Sequence, residues 1–151
     1  MLELKLSVAG LERFETALSA APEMWRIEEV AAITRSAFIA EGAIKTLTPV
    51  KTSRLRSAWA TSVRPGVGVV GNTTVYAPMV EFGTKPHDIE PKKGKALRFK
   101  GRGGFVFAKI VHHPGTKGQH PAERGLEVAK PRILREFTAA IDRVLNSIKG
   151  V

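Results

Sequence analysis

The 151-residue sequence contains no cysteine, which excludes a disulfide framework and any thiolate metal site. No apolar run approaches the ~20 residues that a helix needs to cross a bilayer, and the first residues lack the features of a secretory signal. Aromatic residues make up only 7% of the chain, which is modest for a surface that stacks nucleobases. Acidic residues are also few, 14 against 24 basic ones, so the formal net charge is +10. We expect a soluble, basic and cytoplasmic domain.

The positive charge is concentrated in one part of the chain. Residues 1–50 carry a net charge of −2, whereas residues 84–124 carry ten basic and three acidic side chains, a net +7. That segment is also rich in Gly, Pro and His, which predicts long basic loops at 84–95 and 112–124 on a packed scaffold. A basic surface that only keeps the protein soluble is the plainer alternative. The length favours a single domain over residues 1–151.

Helical patterns lie towards both ends of the sequence. Alternating apolar residues at 2–8 predict a half-buried strand or an extended arm. A first helical pattern begins after Gly10 and is expected to break near Pro22, and a long amphipathic helix then continues until Thr48-Pro49 ends it. Apolar residues at spacings of three and four predict a final helix, with Pro131 either in its first turn or kinking a longer helix that begins near Glu123.

Several short runs with β character lie between the helices. Residues 59–64 and 67–70 predict a hairpin around Pro65-Gly66, and Gly71-Asn72 is expected to turn into a strand at 73–76. The runs 96–99 and 105–111 predict a second hairpin around 100–104, and residues 52–58 predict a short helix that begins at a hydroxyl residue. The order of these helices and strands along the chain predicts an α+β fold, in which an antiparallel sheet of about four to five strands packs against a long N-terminal helix and a C-terminal helix.

Catalytic chemistry finds little support in the sequence. The four histidines of the sequence are His87, His112, His113 and His120. Together with Asp88 or Glu90, they could form a metal-dependent nuclease site. Adjacent histidines point to opposite sides of a strand, however, and neither paired carboxylates nor a His-Glu-x-x-His motif accompanies them. The glycines at 101–104 precede no helix that could hold a phosphate. The sequence therefore predicts no enzyme, no metal and no cofactor.

A basic stripe with interleaved aromatic residues favours nucleic-acid binding as an alternative. Its members are Lys92, Lys93, Lys95, Arg98, Lys100 and Arg102, with Phe99, Phe105 and Phe107 between them. A basic groove with exposed aromatic side chains is how proteins hold single strands. The three phenylalanines and Leu97 occupy alternate strand positions, however, which favours their burial on one face of a sheet.

Two motifs carry a resemblance to a known family. They are Thr48-Pro-Val-Lys-Thr-Ser-Arg-Leu-Arg-Ser57, after the long helix, and Tyr76-Ala-Pro-Met-Val-Glu-Phe-Gly-Thr84. Their order and spacing resemble the gene-product-ten-like family of long-tailed phages, small virion proteins of the head–tail junction that are called tail-completion, tail terminator, neck or head–tail connector proteins. The resemblance covers about residues 10–140. Ser53 stands where the family usually has glycine, and residues 119–125 replace its usual proline-aromatic-leucine run.

The resemblance implies a structural virion protein of a phage or prophage. It implies a homo-oligomeric ring, expected to be a hexamer, that contacts the tail tube protein and head-side connector or stopper proteins, with double-stranded DNA passing through its lumen. The protein would assemble in the host bacterial cytoplasm and would need no small-molecule substrate. A closed ring requires complementary patches on opposite sides of each subunit, and we expect the basic loops to contact acidic surfaces of neighbouring subunits or rings.

The basic segment and the resemblance together lead to predictions for individual residues. In the second motif, Tyr76 is expected to bury its ring with a polar tip, Glu81 to pair with Arg54 or Arg56, and Gly83 to allow a tight turn. The predicted interaction residues are Arg54, Arg56, Tyr76, Glu81, Lys85, Lys92, Lys93, Lys95, Arg98, Arg102, Lys117 and Arg124.

Overall fold

A computed structural model describes residues 11–92 and 94–149. The predicted strand or arm at residues 2–8, and Lys93, lie outside the described residues. The helices are α1 (Leu11–Leu47), α2 (Arg54–Ser57), α3 (Ala77–Phe82) and α4 (Pro121–Lys149). The strands are β1 (Trp59–Arg64), β2 (Val67–Asn72), β3 (Gly83–Thr84), β4 (His87–Ile89), β5 (Leu97–Gly101), β6 (Gly104–Ala108), β7 (Val111–His113) and β8 (Thr116–Lys117).

The predicted α+β class, with a long N-terminal helix, a C-terminal helix and antiparallel strands, is confirmed. The predicted single antiparallel sheet of about four to five strands is wrong in detail, because the strands of the described residues form four separate two-stranded sheets, β1–β2, β3–β8, β4–β7 and β5–β6. Residues 11–73 and 122–149 form one compact unit, and residues 74–121 form a second unit inserted into the first. The single domain predicted for residues 1–151 stays a prediction. None of the described helices is long and apolar enough to span a membrane.

The first helix is continuous through Pro22, so the predicted break near this residue is wrong. A proline inside a helix removes one backbone hydrogen bond, here to the carbonyl of Leu18. Its neighbours include alanine, glutamate and methionine, which are strong helix formers, and Pro22 is exposed, so its ring meets solvent rather than a packed core. The predicted end before Thr48-Pro49 is confirmed, because α1 stops at Leu47.

Ion pairs join α1 and α4 side by side in the first unit. Arg143 contacts Glu28 at 2.7 Å, and Arg35 contacts Glu136 at 2.6 Å. Residue numbers rise along α1 as they fall along α4, so the helices are antiparallel. The hydrogen bond of Arg143 holds the pKa of the Glu28 carboxyl below its usual value.

The last helix begins at Pro121 and contains Pro131, which confirms the longer of the two predicted forms. Close approach to α1 depends on Gly125, because a Cβ atom there would lie 2.6 Å from the Cα of Ile44. The core between the elements of the first unit is small and rich in alanine. Its buried apolar members are Ala32, Ile33, Ala37, Ala40, Ile44, Leu55, Trp59, Ala129, Ala140 and Val144.

The β1–β2 hairpin packs on α1, and its first predicted strand and its turn at Pro65-Gly66 are confirmed. The second strand continues to Asn72, so the predicted turn at Gly71-Asn72 is wrong. Asn72 stays in the sheet, where its side-chain amide donates a hydrogen bond to the Leu55 carbonyl at 2.8 Å. The predicted strand at 73–76 is also wrong, because the chain turns there into α3.

The start of α2 differs from the predicted hydroxyl cap. Ser53 precedes the helix with φ 60°, in the left-handed region, and its side chain makes no capping hydrogen bond. That conformation is the one that favours glycine, because a Cβ atom crowds the following carbonyl oxygen.

In the second unit, short strands occupy the segments predicted as loops. Residues 84–95 contain β4, and residues 112–124 contain β8 and the first turn of α4, so short elements interrupt the predicted loops. The pairing of β4 with β7 and of β3 with β8 satisfies backbone groups that a loop would leave to water. Gly83 has φ 80°, and a Cβ atom there would collide with the Thr116 carbonyl oxygen, so this position requires glycine for the approach of β8; the predicted tight turn stays a prediction.

Candidate functional site

The β5–β6 hairpin has two chemically different faces. Its register pairs Phe99 with Val106, Lys100 with Phe105, and Arg98 with Phe107. Residues directly opposite each other in an antiparallel pair lie on the same face. One side, here called the apolar face, carries Leu97, Phe99, Val106 and Ala108. The other, here called the cationic face, carries Arg98, Lys100, Phe105 and Phe107.

Burial of the three phenylalanines on one face is therefore a wrong prediction in two respects. Phe99 lies on the opposite face from Phe105 and Phe107, and the three side chains are 43%, 60% and 66% exposed. Among the described residues of the second unit, the only helix, α3, has six residues and none of them is buried, so no helix layer covers these phenylalanines. The elements of the second unit are too short to cover the β5–β6 hairpin, so the side chains on both of its faces are exposed to solvent.

On the cationic face, a basic side chain is held over an aromatic ring. The guanidinium carbon of Arg98 lies 4.1 Å from the centre of the Phe105 ring, which is a cation–π contact. Such a contact stabilises an exposed pair by about 0.5–1 kcal/mol. Arg98 is thereby oriented across the ribbon, and the face can bind anionic or aromatic groups.

The remaining predicted basic residues of the second unit surround this hairpin in sequence and are exposed. Lys92 and Lys95 lie just before β5, and Arg102 lies in the turn between β5 and β6. Lys85 lies between β3 and β4, and Lys117 lies on β8. Every one of these cations is therefore available to a partner.

The predicted residues of the first unit are also exposed. Arg54 and Arg56 belong to α2, and Arg124 belongs to the first turn of α4. Arg56 donates a hydrogen bond to the Thr48 carbonyl at 3.4 Å. An ion pair of Glu81 with Arg54 or Arg56 stays a prediction.

Tyr76 and Glu81 flank α3 in the second motif. The predicted burial of the Tyr76 ring is wrong, because this residue is 37% exposed at the position before the helix. A helix without buried residues offers no core into which the ring could fold. Glu81 is half-buried near the end of α3, and its backbone carbonyl accepts a hydrogen bond from the His120 amide at 3.3 Å.

The β4–β7 pair carries three histidines, His87 and His113 on one face and His112 on the other, and an open depression of about 560 Å³ lies beside it. His87 is paired with His113, and their rings stack with centroids 5.1 Å apart. His112 is paired with Asp88 and contacts its carboxylate at 2.5 Å. The prediction that adjacent histidines point to opposite sides is therefore confirmed.

The tautomers of the stacked pair are unfavourable for a shared metal ion. His87 Nδ1 lies 2.8 Å from the Lys85 carbonyl oxygen and must donate to it, which leaves Nε2 as a possible ligand. His113 Nδ1 instead accepts a hydrogen bond from the Gly115 amide at 3.0 Å. A neutral His113 then carries its proton on Nε2 and presents no lone pair there. This stacked pair is therefore a poor metal site, and the nuclease alternative stays a prediction.

The first unit contains an apolar groove that the sequence reasoning missed. It has a volume of about 510 Å³ and is lined by α1, by residues of the β1–β2 hairpin, and by α4. The hairpin contributes Gly66, Gly68 and Val70. A Cβ atom at Gly68 would lie 2.9 Å from the Cβ of Ala37, so this glycine lets the hairpin approach α1 closely. The groove joins segments that are distant in sequence, and no local pattern indicates it.

Comparisons of the chain with protein-family models, with curated proteins and with solved structures found no match.

Proposed function

We propose that this protein is a structural component of a long-tailed phage or prophage virion, where it completes the tail and joins it to the DNA-filled head as a subunit of a ring. The exposed two-faced hairpin carries the proposal. Contiguous exposed apolar side chains, such as those of Phe99 and Val106, mark surfaces that a partner covers. A hairpin with exposed apolar side chains on one face and cations on the other is more typical of a contact surface in an assembly than of an active site.

The backbone at two motif positions supports the same proposal. Ser53, where the resembled family usually has glycine, adopts the left-handed conformation that glycine favours. Gly83, in the second motif, has φ 80° and lies against backbone atoms. The backbone conformation at both motif positions therefore favours glycine.

A ring also requires different surfaces to meet on neighbouring subunits. Residues 84–124 carry a net +7, and residues 1–50 carry a net −2, so segments of opposite charge are present in each copy. In the proposed particle, a hexameric ring contacts the tail tube and the head-side connector, and DNA passes through the lumen. The function involves no catalysis.

Deletion of the gene from its phage or prophage tests the proposal. Electron microscopy of the lysate should then show filled heads beside unjoined or overlong tails, and a plasmid copy of the wild-type gene should restore joined particles. Normal infectious particles from the deletion strain would refute the proposed function. The matched lysate from the restored strain controls for loss of expression of neighbouring genes.

A nucleic-acid-binding module is the second candidate, and the contact between Arg98 and Phe105 favours it. Single-strand binding combines phosphate neutralisation by cations with stacking of bases on aromatic rings. The affinity of such a protein falls steeply with salt, because each neutralised phosphate releases counterions. If the purified protein bound single-stranded DNA with a steep salt dependence, lost that binding on Arg98→Gln, and had no affinity for tail tubes, this candidate would replace the first.

A further inference from the structure

We propose that the cationic face of the β5–β6 hairpin binds the phosphate backbone of double-stranded DNA, independently of base sequence. The inference rests on the proposed function, because it names the surface of a ring subunit that meets the DNA passing through the ring. The ligand class is duplex DNA, which differs from the single strands of the second candidate function.

The segment that contains the hairpin has ionised side chains of one sign only. Residues 91–122 hold eight lysines and arginines and no aspartate or glutamate. The three cations of the hairpin and its turn, Arg98, Lys100 and Arg102, are exposed, and none of them has a carboxylate partner among the described residues. Their charge is therefore available to an anionic ligand.

A surface with only positive charge is more typical of a nucleic-acid contact than of a protein contact. Lysine is depleted from protein–protein interfaces, whereas protein–DNA interfaces are strongly positive. Exposed lysines lie on the hairpin and on both sides of it in sequence, at Lys92, Lys95, Lys100 and Lys109. Duplex DNA carries one negative charge per ~1.7 Å of its axis, so it can engage several of these cations at once.

Arg98 is held in a position that suits a phosphate group. Its guanidinium carbon lies 4.1 Å from the centre of the Phe105 ring, which is diagonally across the two strands. A guanidinium has five N–H donors that match phosphate oxygens, and one already held over a ring loses less side-chain freedom on binding. The same contact covers one side of the ring, so a nucleobase cannot stack there. The arrangement therefore favours phosphate contact over base stacking.

The shape of the hairpin favours a duplex over a single strand. Its two five-residue strands form a narrow ribbon about 17 Å long, with side chains exposed on both faces. The major groove of B-DNA, about 12 Å wide, admits a two-stranded ribbon of this kind. Single strands are instead held in a groove that follows their backbone and stacks their bases. A ribbon with two exposed faces is not such a groove.

The side chains of the hairpin predict binding that is independent of sequence. Residues 97–108 contain no Asn, Gln, Asp or Glu, the side chains that recognise adenine and cytosine in the major groove. Contacts with phosphates position a protein on DNA but carry no sequence information. Such a surface binds every part of a DNA molecule alike, as DNA passing through a ring requires.

The test measures binding of the purified full chain to a fluorescent duplex of about 20 base pairs, by fluorescence anisotropy at salt concentrations of about 50–200 mM. If Arg98, Lys100 and Arg102 each neutralise one phosphate, log K against log[salt] should have a slope of about −2.7 or steeper, since each contact contributes about −0.9. Duplexes rich in A·T and in G·C should have dissociation constants within about threefold of each other.

Matched variants assign the binding to the hairpin. Arg98→Gln combined with Lys100→Gln should make the slope shallower by about 1.8 and weaken low-salt affinity by at least about tenfold. Arg132→Gln combined with Arg135→Gln removes the same charge from exposed positions of α4 and should change the slope by less than about 0.5. Arg98→Lys combined with Lys100→Arg keeps both charges and should retain the wild-type slope, which separates lost charge from lost folding.

A single-stranded oligonucleotide of the same length distinguishes phosphate contact from base stacking. We expect it to bind more weakly than the duplex, because its charge density is lower and its counterion release is smaller. Phe107→Ala should leave the affinity for the duplex within about twofold, whereas loss of a base stacked on this ring would cost about tenfold or more.

Several outcomes would overturn the inference. They are no binding of the duplex at low salt, a wild-type slope in the variant Arg98→Gln with Lys100→Gln, and tighter binding of the single strand that depends on Phe107, which would support the second candidate. Competition by poly-L-glutamate as effective as that by an equal charge of unlabelled duplex would also overturn it, and would indicate an acidic protein partner.

The gene deletion described above decides the proposed function separately. Unjoined heads and tails in the deletion lysate, without duplex binding by the purified protein, would refute this inference and leave the function standing. Duplex binding with normal particles from the deletion strain would do the reverse.

Discussion

Thr48 is a buried hydroxyl just after the end of α1, and its replacement by valine is the most direct test of how the first unit is held together. The residue is 2% exposed. Its Oγ1 donates a hydrogen bond to the Ile44 carbonyl at 2.7 Å and accepts one from the indole Nε1 of Trp59 at 2.9 Å. One oxygen atom therefore joins the end of α1 to the first residue of β1.

Valine has nearly the same shape as threonine, so Thr48→Val removes the oxygen without opening a cavity. The indole N–H of Trp59, a residue that is 8% exposed, is then buried without a partner. An unsatisfied buried donor costs about 1–3 kcal/mol. We expect the free energy of unfolding to fall by about 2 kcal/mol, which for a chain of this length lowers the melting temperature by about 4–8 °C.

Urea denaturation followed by far-UV circular dichroism measures this change. Thr46→Val is the matched control, because Thr46 makes the same kind of hydrogen bond to a helix carbonyl, at 2.9 Å, but is exposed. The control should cost less than about 0.5 kcal/mol. Trp59→Phe combined with Thr48→Val should cost less than the sum of the two single changes. Equal effects of Thr48→Val and Thr46→Val, or full additivity with Trp59→Phe, would refute the reasoning.

Three further predictions concern backbone strain and pH. Ser53→Gly should stabilise the protein by about 1 kcal/mol, because a side chain in the left-handed region costs about 1–2 kcal/mol; an unchanged thermal midpoint would contradict this. Gly125→Ala should destabilise by about 1–3 kcal/mol in urea, because the new methyl group would collide with the backbone of Ile44. The lowered pKa of Glu28 beside Arg143 gives stability that is present above about pH 4.3, the ordinary glutamate value, and lost as the pH falls further, so Glu28→Gln should flatten the fall in melting temperature between pH 5 and pH 3.

The helices α2 and α4, most of α1, and the first hairpin could be predicted from local sequence because local chemistry determines them, whereas α3 was not predicted. Thr48-Pro49 ends α1 since the residue before a proline is excluded from the helical region, and Pro65-Gly66 joins two β-rich runs. Pro22 shows the limit of that reasoning. A single lost hydrogen bond does not end a helix whose neighbouring residues favour it, and the sequence does not show that the proline ring is exposed.

The candidate site was predictable in its residues but not in its geometry. Alternation along one strand correctly places Phe105 and Phe107 on one face, but the face of Phe99 depends on the register across the turn. Because Phe99 is opposite Val106, an odd-numbered residue of β5 shares its face with even-numbered residues of β6. One residue more in the turn would reverse this assignment, and local sequence does not set that length. The groove was missed for a related reason, since it joins segments that are distant in sequence.

The continuous path of α1 through Pro22 also has a mechanical consequence. Ser147, near the end of α4, contacts Met24, so the helix before Pro22 extends past the last described turn of α4. This overhang, residues 11–21, is about 16 Å long at 1.5 Å per residue. The missing hydrogen bond of Pro22 lies near the point where the described part of α4 ends, so a bend there leaves the ion pairs of Glu28 and Arg35 with α4 in place. A bend of about 20° at Pro22 would move the Leu11 end of the helix by roughly 5–6 Å. The position of this end of α1 therefore depends on the backbone conformation at one residue.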